Sequence, residues 1–242
     1  SNRMQCTPVI HEVAAGIAAE YYNETSETGK AFALVTAGPG LTNIITALAG
    51  AFLESRELLV IGGQVKTTDL ALGEVRQRGI QEIDGVSISK PITKTSVLTM
   101  EPISFNRLNE LVNITRAARK GPVFLEMPLD IQAKDYCSNE QPIEEKKLSA
   151  GETTDTQISE VASLLKQSQR PVVLLGGGIT RACAAQILPE LARCNIPVAT
   201  TWNGADRIGS EEPIYIGRPN TWGQRSANLI LQQADLLIAL GT

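Results

Sequence analysis

Apolar positions along the chain fall into two alternating textures. Short, nearly unbroken apolar runs stand at 31–36, 57–61, 122–127, 171–175, 196–200 and 236–240. Between them, at 41–53, 103–119, 157–167, up to Cys194 and at 226–233, apolar residues recur at helical spacing. Unbroken runs are the habit of parallel strands buried on both faces, and the periodic stretches are the helices that cover them. An Ala-rich helix opens near Glu12, and Pro8-Val9-Ile10 reads as a strand before it. From about 133 to 156 the text turns polar and loses its period. The expected organisation is a parallel-sheet, three-layer α/β/α domain over 1–135, a linker over 136–156, and a Rossmann-like α/β domain over 157–242. The first strand has nothing before it to complete a sheet, and the last stops at Gly241-Thr242. The chain therefore reads as a piece of a larger protein, with both domains incomplete.

Composition narrows the classes. The 242 residues are 43% hydrophobic and 20% charged with a net charge of −4, ordinary for a globular chain and opposed to tracking of nucleic-acid phosphates. Neither a run long enough to span a membrane nor a signal peptide is visible, so a cytoplasmic protein is expected. Cys6, Cys137, Cys183 and Cys194 show no CxxC spacing, and His11 is the only histidine. These counts and spacings argue against a Cys/His zinc site, and the thiols are expected to be structural and buried. A Ser-His-Asp triad would need His11, but no G-x-S-x-G elbow accompanies it.

Three glycine-rich turns follow strands: Gly38-Pro39-Gly40, Gly62-Gly63-Gln64 and Gly176-Gly177-Gly178. Such turns can present backbone N–H groups to an anion, and equally they can be tight βα connections and nothing more. None matches G-x-G-x-x-G in the dinucleotide manner or a Walker A loop. Glu12, beside His11 at a helix start, has two readings: an acid that complements the helix dipole, or a carboxylate aimed at a cofactor.

Order and spacing carry more than any single turn. His11-Glu12, Thr28-Gly29-Lys30, Gly38-Pro39-Gly40-Leu41-Thr42-Asn43, Gly62-Gly63-Gln64, Ile80-Gln81-Glu82, Ile92-Thr93-Lys94 and 121–130 resemble the pyrimidine-binding domain of thiamine diphosphate enzymes of the acetolactate synthase type. Arg170-Pro171-Val172, Gly176 to Gly178, Ile196-Pro197-Val198 and 234–241 are similar to that family's central domain. The resemblance covers nearly the whole chain. It implies that Glu12 bonds N1′ of the aminopyrimidine and so helps generate the C2 ylide that attacks a 2-keto acid such as pyruvate. A carboxyl beside an apolar helix is expected to have a raised pKa, in keeping with that role. Gly38, Pro39, Gly40 and Asn43 match the loop that contacts the pyrimidine. Gln64 and Gln81 match positions near the active site, and Gln81 reads equally as a polar residue at a helix N-terminus. Arg119 matches an arginine that meets FAD in relatives, or it is a basic residue at a helix C-terminus.

The departures bear on the flavin. Ile216 to Gly223 and Thr201-Trp202-Asn203-Gly204 differ from the family pattern where FAD would lie, which leaves a carboligase without flavin beside one with it. The segment from Glu20 to Glu27 is also slightly longer than usual. The family's pyrophosphate-binding domain, which holds Mg2+ and the diphosphate, is not in this sequence. The family's active sites form between subunits, which implies a homodimer or homotetramer and an inactive fragment when alone. Two readings from other classes stand beside this one: a scaffold module that kept the fold without the chemistry, and a nucleotide-binding α/β domain resting on Gly176 to Gly178. The latter lacks an acidic ribose clamp at Ala199-Thr200-Thr201.

Overall fold

A computed structural model describes residues 4–26, 30–135 and 153–242. The chain divides into two compact units, Ser1–Ala150 and Gly151–Thr242.

In the first unit the elements run α1 (Glu12–Thr25), β1 (Ala33–Val35), α2 (Pro39–Leu53), β2 (Leu58–Gln64), α3 (Gly85–Ser89), β3 (Thr95–Leu98), α4 (Phe105–Arg116), β4 (Pro122–Pro128) and α5 (Leu129–Gln132). The sheet order is β1-β2-β4-β3 and every pairing is parallel. Successive strand residues point to opposite faces, so each central strand feeds two cores. Leu58, Val60 and Phe124 pack with Ala19 of α1 and Leu41, Ile44, Ala47 and Leu48 of α2. Leu59, Val123 and Leu125 pack against Leu111 of α4 on the other face. Burial on both faces is why 58–61 and 122–125 read as continuous apolar runs.

The second unit holds α6 (Asp155–Gln167), β5 (Pro171–Leu175), α7 (Arg181–Arg193), β6 (Val198–Thr200), β7 (Tyr215–Gly217), α8 (Arg225–Gln233) and β8 (Leu236–Leu240). Its sheet, β7-β6-β5-β8, is also parallel throughout. Val173, Leu175, Ile196, Val198, Ile208 and Ile214 form its core. Helix starts follow their capping residues: Thr154 and Gln157 form a reciprocal capping box, and Thr180 caps α7 through Cys183 N–H. Both units are thus parallel α/β structures, as the textures predict.

Several expectations are corrected. Residues 8–10 form no strand; the chain enters α1 from irregular backbone. Gly62-Gly63-Gln64 is not a turn but the end of β2, because Glu126, Met127 and Pro128 of β4 keep pairing with it. A Cβ on Gly62 would sit 2.9 Å from the Phe124 ring, so glycine serves packing there. The strands β3 and β7 were not expected: β3 is a half-buried edge strand and β7 has three residues, too short for a pattern. Cys6 and Cys194 are exposed and Cys183 half-buried, against the expectation of buried thiols; Cys137 lies outside the described residues. So do Thr28-Gly29 and most of the expected linker. Among the described residues no helix is long and apolar enough to cross a membrane.

Candidate functional site

The start of α1 is set by His11. Its backbone is extended, and its Nδ1 accepts the Val13 N–H at 3.2 Å, which satisfies one of the free donors of the first turn. Glu12 is therefore the first helical residue. Asn43, in the second turn of α2, donates its amide to Glu12 Oε2 at 2.9 Å. The two helices approach closely because a side chain on Gly16 would collide with Ala47 and Ile44. Gly16 lies one helical turn beyond Glu12, and Ala47 one turn beyond Asn43, so the same contact face delivers the polar pair to its open end.

The electrostatics of Glu12 run against the sequence expectation of a raised pKa. The Asn43 amide, then its own backbone N–H, hold the carboxyl below the ordinary value against its desolvation, and His11 adds a lesser lowering. The reason is position: Glu12 stands at the mouth of the α1–α2 pair, not against the apolar side of the helix.

At the head of α2, Gly38 caps the helix with φ of +61° and Pro39 occupies its first turn. That φ suits glycine, and a side chain there would also collide with the Gln81 carbonyl. Gln81 itself is left-handed at φ of +63°. It sits in a turn, not at a helix N-terminus; α3 begins later, capped by Asp84. Glu82 closes this turn by accepting from the N–H groups of Ala71, Arg78 and Gly79. Burial opposes its charge, but those three donors together with Arg78 hold its carboxyl below the ordinary range.

Gln64 is buried beneath the same turn. Its Nε2 donates to the Ile83 carbonyl at 2.9 Å and to Glu126 Oε1 at 3.0 Å, and its Oε1 accepts from Val65 N–H at 2.8 Å. The structure thus brings Glu12 together with Asn43, and Gly38 with Gln81, all at the C-terminal side of β1, where open α/β sheets place their ligands. Arg119 is not with them. It is exposed, lies beyond the end of α4 rather than in its last turn, and donates Nε to Ser55 Oγ at 2.7 Å. Ser55 follows the C-terminus of α2, which puts Arg119 about 20 Å along that helix from Gly38.

Two acids escaped the sequence reading. Glu82 offered no signal beyond its neighbourhood. Glu126 did: a lone carboxylate inside the run Val123-Phe124-Leu125-Glu126-Met127 belongs to a strand buried on both faces. Burial, and then the nearby Asp84 charge, push its pKa to about 8 against the opposing Gln64 hydrogen bond.

In the second unit, Gly176 to Gly178 follow β5. The N–H groups of Gly176 and Gly178 donate to Leu240 and Gly241 carbonyls, and Ile179 N–H donates to Gly176. Buried Arg207 supports the loop from below, donating to the carbonyls of Gly177 and Ile179. Three of the donors that an anion would need are therefore already engaged within the fold. No carboxylate stands at the end of β6, which closes on Thr200.

Comparison with known proteins follows this geometry. Residues 1–88 match the family described as the thiamine pyrophosphate enzyme N-terminal TPP binding domain, and residues 158–242 match the thiamine pyrophosphate enzyme central domain. The acetolactate synthase isozyme 1 large subunit of Escherichia coli is 34% identical over 96% of the chain and 40% of its own length. The acetolactate synthase catalytic subunit of Saccharomyces cerevisiae mitochondria is 34% identical over 96% of the chain and 34% of itself. The acetolactate synthase large subunit of Lactococcus lactis is 33% identical over 96% of the chain and 40% of itself. The chain thus spans well under half the length of these relatives. Family models match a stretch of each unit in order, together over more than half of the chain, so the chain belongs to the thiamine pyrophosphate enzyme family and is similar to the acetolactate synthases named above.

Proposed function

We propose that the chain forms part of a thiamine diphosphate-dependent 2-keto acid decarboxylase or carboligase, with Glu12 as the residue that manages a proton at N1′ of the aminopyrimidine. The observation that carries this is the Glu12–Asn43 pair, an oriented carboxylate held at the open end of two helices within the segment matching the TPP binding domain. The residues fit the pyrimidine half of the cofactor: a carboxylate acceptor stands on α1 beside Asn43, and Pro39 is exposed at the head of α2 between Gly38 and Gly40, which are covered by Gln81 and Thr36. When bound, the cofactor supplies a carbon nucleophile and an electron sink for cleavage beside a keto group. Glu12 holds the proton at N1′. Covered by a bound cofactor, the Glu12 carboxyl would lose water, which would raise its proton affinity above the lowered one it has in the open site. Asn43 fixes the direction of the carboxylate, and Gln81 lies over the Gly38 corner.

The substrate of this reading is a 2-keto acid such as pyruvate. The diphosphate and Mg2+ are held by residues outside this chain, and the site is completed by a second subunit in a homodimer or homotetramer. Arg119, tied to Ser55, and the internally engaged loop after β5 favour a form without FAD. A yellow purified protein would overturn that part.

The test uses the full-length protein with thiamine diphosphate and Mg2+. Glu12→Gln is expected to retain cofactor binding and to lose about 10²–10⁴-fold in turnover of pyruvate, the usual worth of positioned acid–base catalysis. Equal turnover in both proteins would refute the role of Glu12.

A further inference from the structure

The C-terminal end of β4 contains a carboxyl group that the proposed chemistry does not use. Glu126 is 3% exposed. Its Oε1 receives the Gln64 amide at 3.0 Å, and a Cβ on Gly85 would lie 2.5 Å from the same oxygen, so the α3 backbone closes directly over it. The Glu126 carbonyl is engaged by Thr99, through both N–H and Oγ1. Around the carboxyl, β2 contributes neutral Gln64, and α2 contributes Leu41 from a helix without any ionisable residue. The strand β3 carries no ionisable residue either. The charged group acting on it is Asp84 at the cap of α3, and it is also an anion. Asp130 of α5 faces elsewhere, accepting from Thr67 N–H and Oγ1.

One amide nitrogen couples this acid to the turn above. Gln64 Nε2 divides itself between Glu126 and the Ile83 carbonyl, and Ile83 ends the turn whose Gln81 carbonyl rests on Gly38. We propose that Glu126 is a positioning residue: in its neutral form it lets Gln64 hold the 79–83 turn down on the head of α2, and in its ionised form it releases that turn. A second anion beside Asp84, with no cationic residue on α2, β2 or β3, is costly and is relieved by admitting water. Gln64 then follows the carboxylate and Ile83 loses its donor. The consequence for cofactor affinity rests on the function proposed above; the latch itself does not.

The experiment compares the full-length protein with Glu126→Gln and Glu126→Ala by amide hydrogen exchange, at about pH 6 and about pH 10, two units to either side of about 8. The reporters are the N–H groups of Gly79, Glu82 and Gly85, all bonded within this corner. Glu126→Gln copies the neutral acid and supplies the reference for the chemical effect of pH. Exchange in the wild type should exceed that reference by about tenfold or more at the higher pH and match it at the lower. Glu126→Ala, which removes one of the two acceptors of Gln64 Nε2 and opens a space that lets Gln64 move away from Ile83, should exchange fast at both. Identical pH responses in the wild type and Glu126→Gln overturn the latch, whatever the cofactor does. Thiamine diphosphate titration separates the two ideas. Affinity that falls with pH only in the wild type supports both, whereas the exchange difference with no cofactor binding at either pH upholds the latch and removes the cofactor reading.

Discussion

Asn43 donates to the Glu12 carboxylate at 2.9 Å from a neighbouring helix, one turn along each helix from the place where Gly16 meets Ala47. A packing contact and a polar contact thus share one helix face. The first sets the separation of α1 and α2; the second uses it to aim a carboxylate. Neither residue of the polar pair is deeply buried, so its value is orientation more than stability.

Removing the amide should be visible as a shift in pH dependence. The Asn43 donor is the leading reason that the Glu12 pKa is depressed. Asn43→Ala is therefore expected to move it upward, so that the acid limb of kcat/KM in the full-length enzyme rises in pH. An unmoved acid limb would show that Asn43 does not orient Glu12.

The helix contact should behave as a coupled pair. Gly16→Ala inserts a methyl group where Ala47 already stands and is expected to cost about 1–3 kcal/mol in denaturant unfolding. Ala47→Gly in the same protein should restore much of the loss, giving a coupling energy of at least about 0.5 kcal/mol in a double-mutant cycle. Additive losses would mean that the helices do not touch at these residues.

Glu126 should make stability fall with rising pH. Its folded pKa, about 8, lies above the unfolded carboxyl value, so the native state binds the extra proton in the interval between them. Its stabilising effect is complete below the unfolded value, declines by up to about 1.4 kcal/mol per pH unit across the interval, and is lost above about 8. The stability of the wild type relative to Glu126→Gln, from urea unfolding at a series of pH values, should follow that course. A difference that does not vary with pH would refute it.

Asp235 should have the opposite sign. It ties the residues leading into β5, accepting from Ser168 Oγ and from the N–H groups of Gln169 and Arg170. Those donors, Ser168 first, hold its pKa at about 2. Its contribution is present above the unfolded value and is lost as pH falls through about 2. Asp235→Asn should lower the Tm at neutral pH, and the gap from the wild type should shrink on acidification. A constant gap would show that the carboxylate charge is immaterial.

Much of the architecture was legible because burial on both faces of a parallel strand leaves a mark in the sequence: 122–127 and 171–175 correspond closely to β4 and β5. Strands that owe their existence to pairing were not. Gly62 and Gly63 are poor strand residues alone, and they extend because β4 pairs with them. Pro8-Val9-Ile10 has the composition of a strand, but no neighbour pairs with it among the described residues.

The candidate site divides along the same line. By its motifs and their order, the sequence determined the family, the two α/β units, and Glu12, Gly38 and Asn43 as candidates. Those features depend on residue type and near neighbours along the chain. Only the tertiary structure decided that Asn43 lowers the Glu12 pKa, that Gln81 overlies Gly38, that Arg119 stands at the far end of α2, and that burial raises the pKa of Glu126. A side chain's proton affinity and its partners are set by charge, solvent and donors within a few ångströms, and these come from segments far apart in the chain.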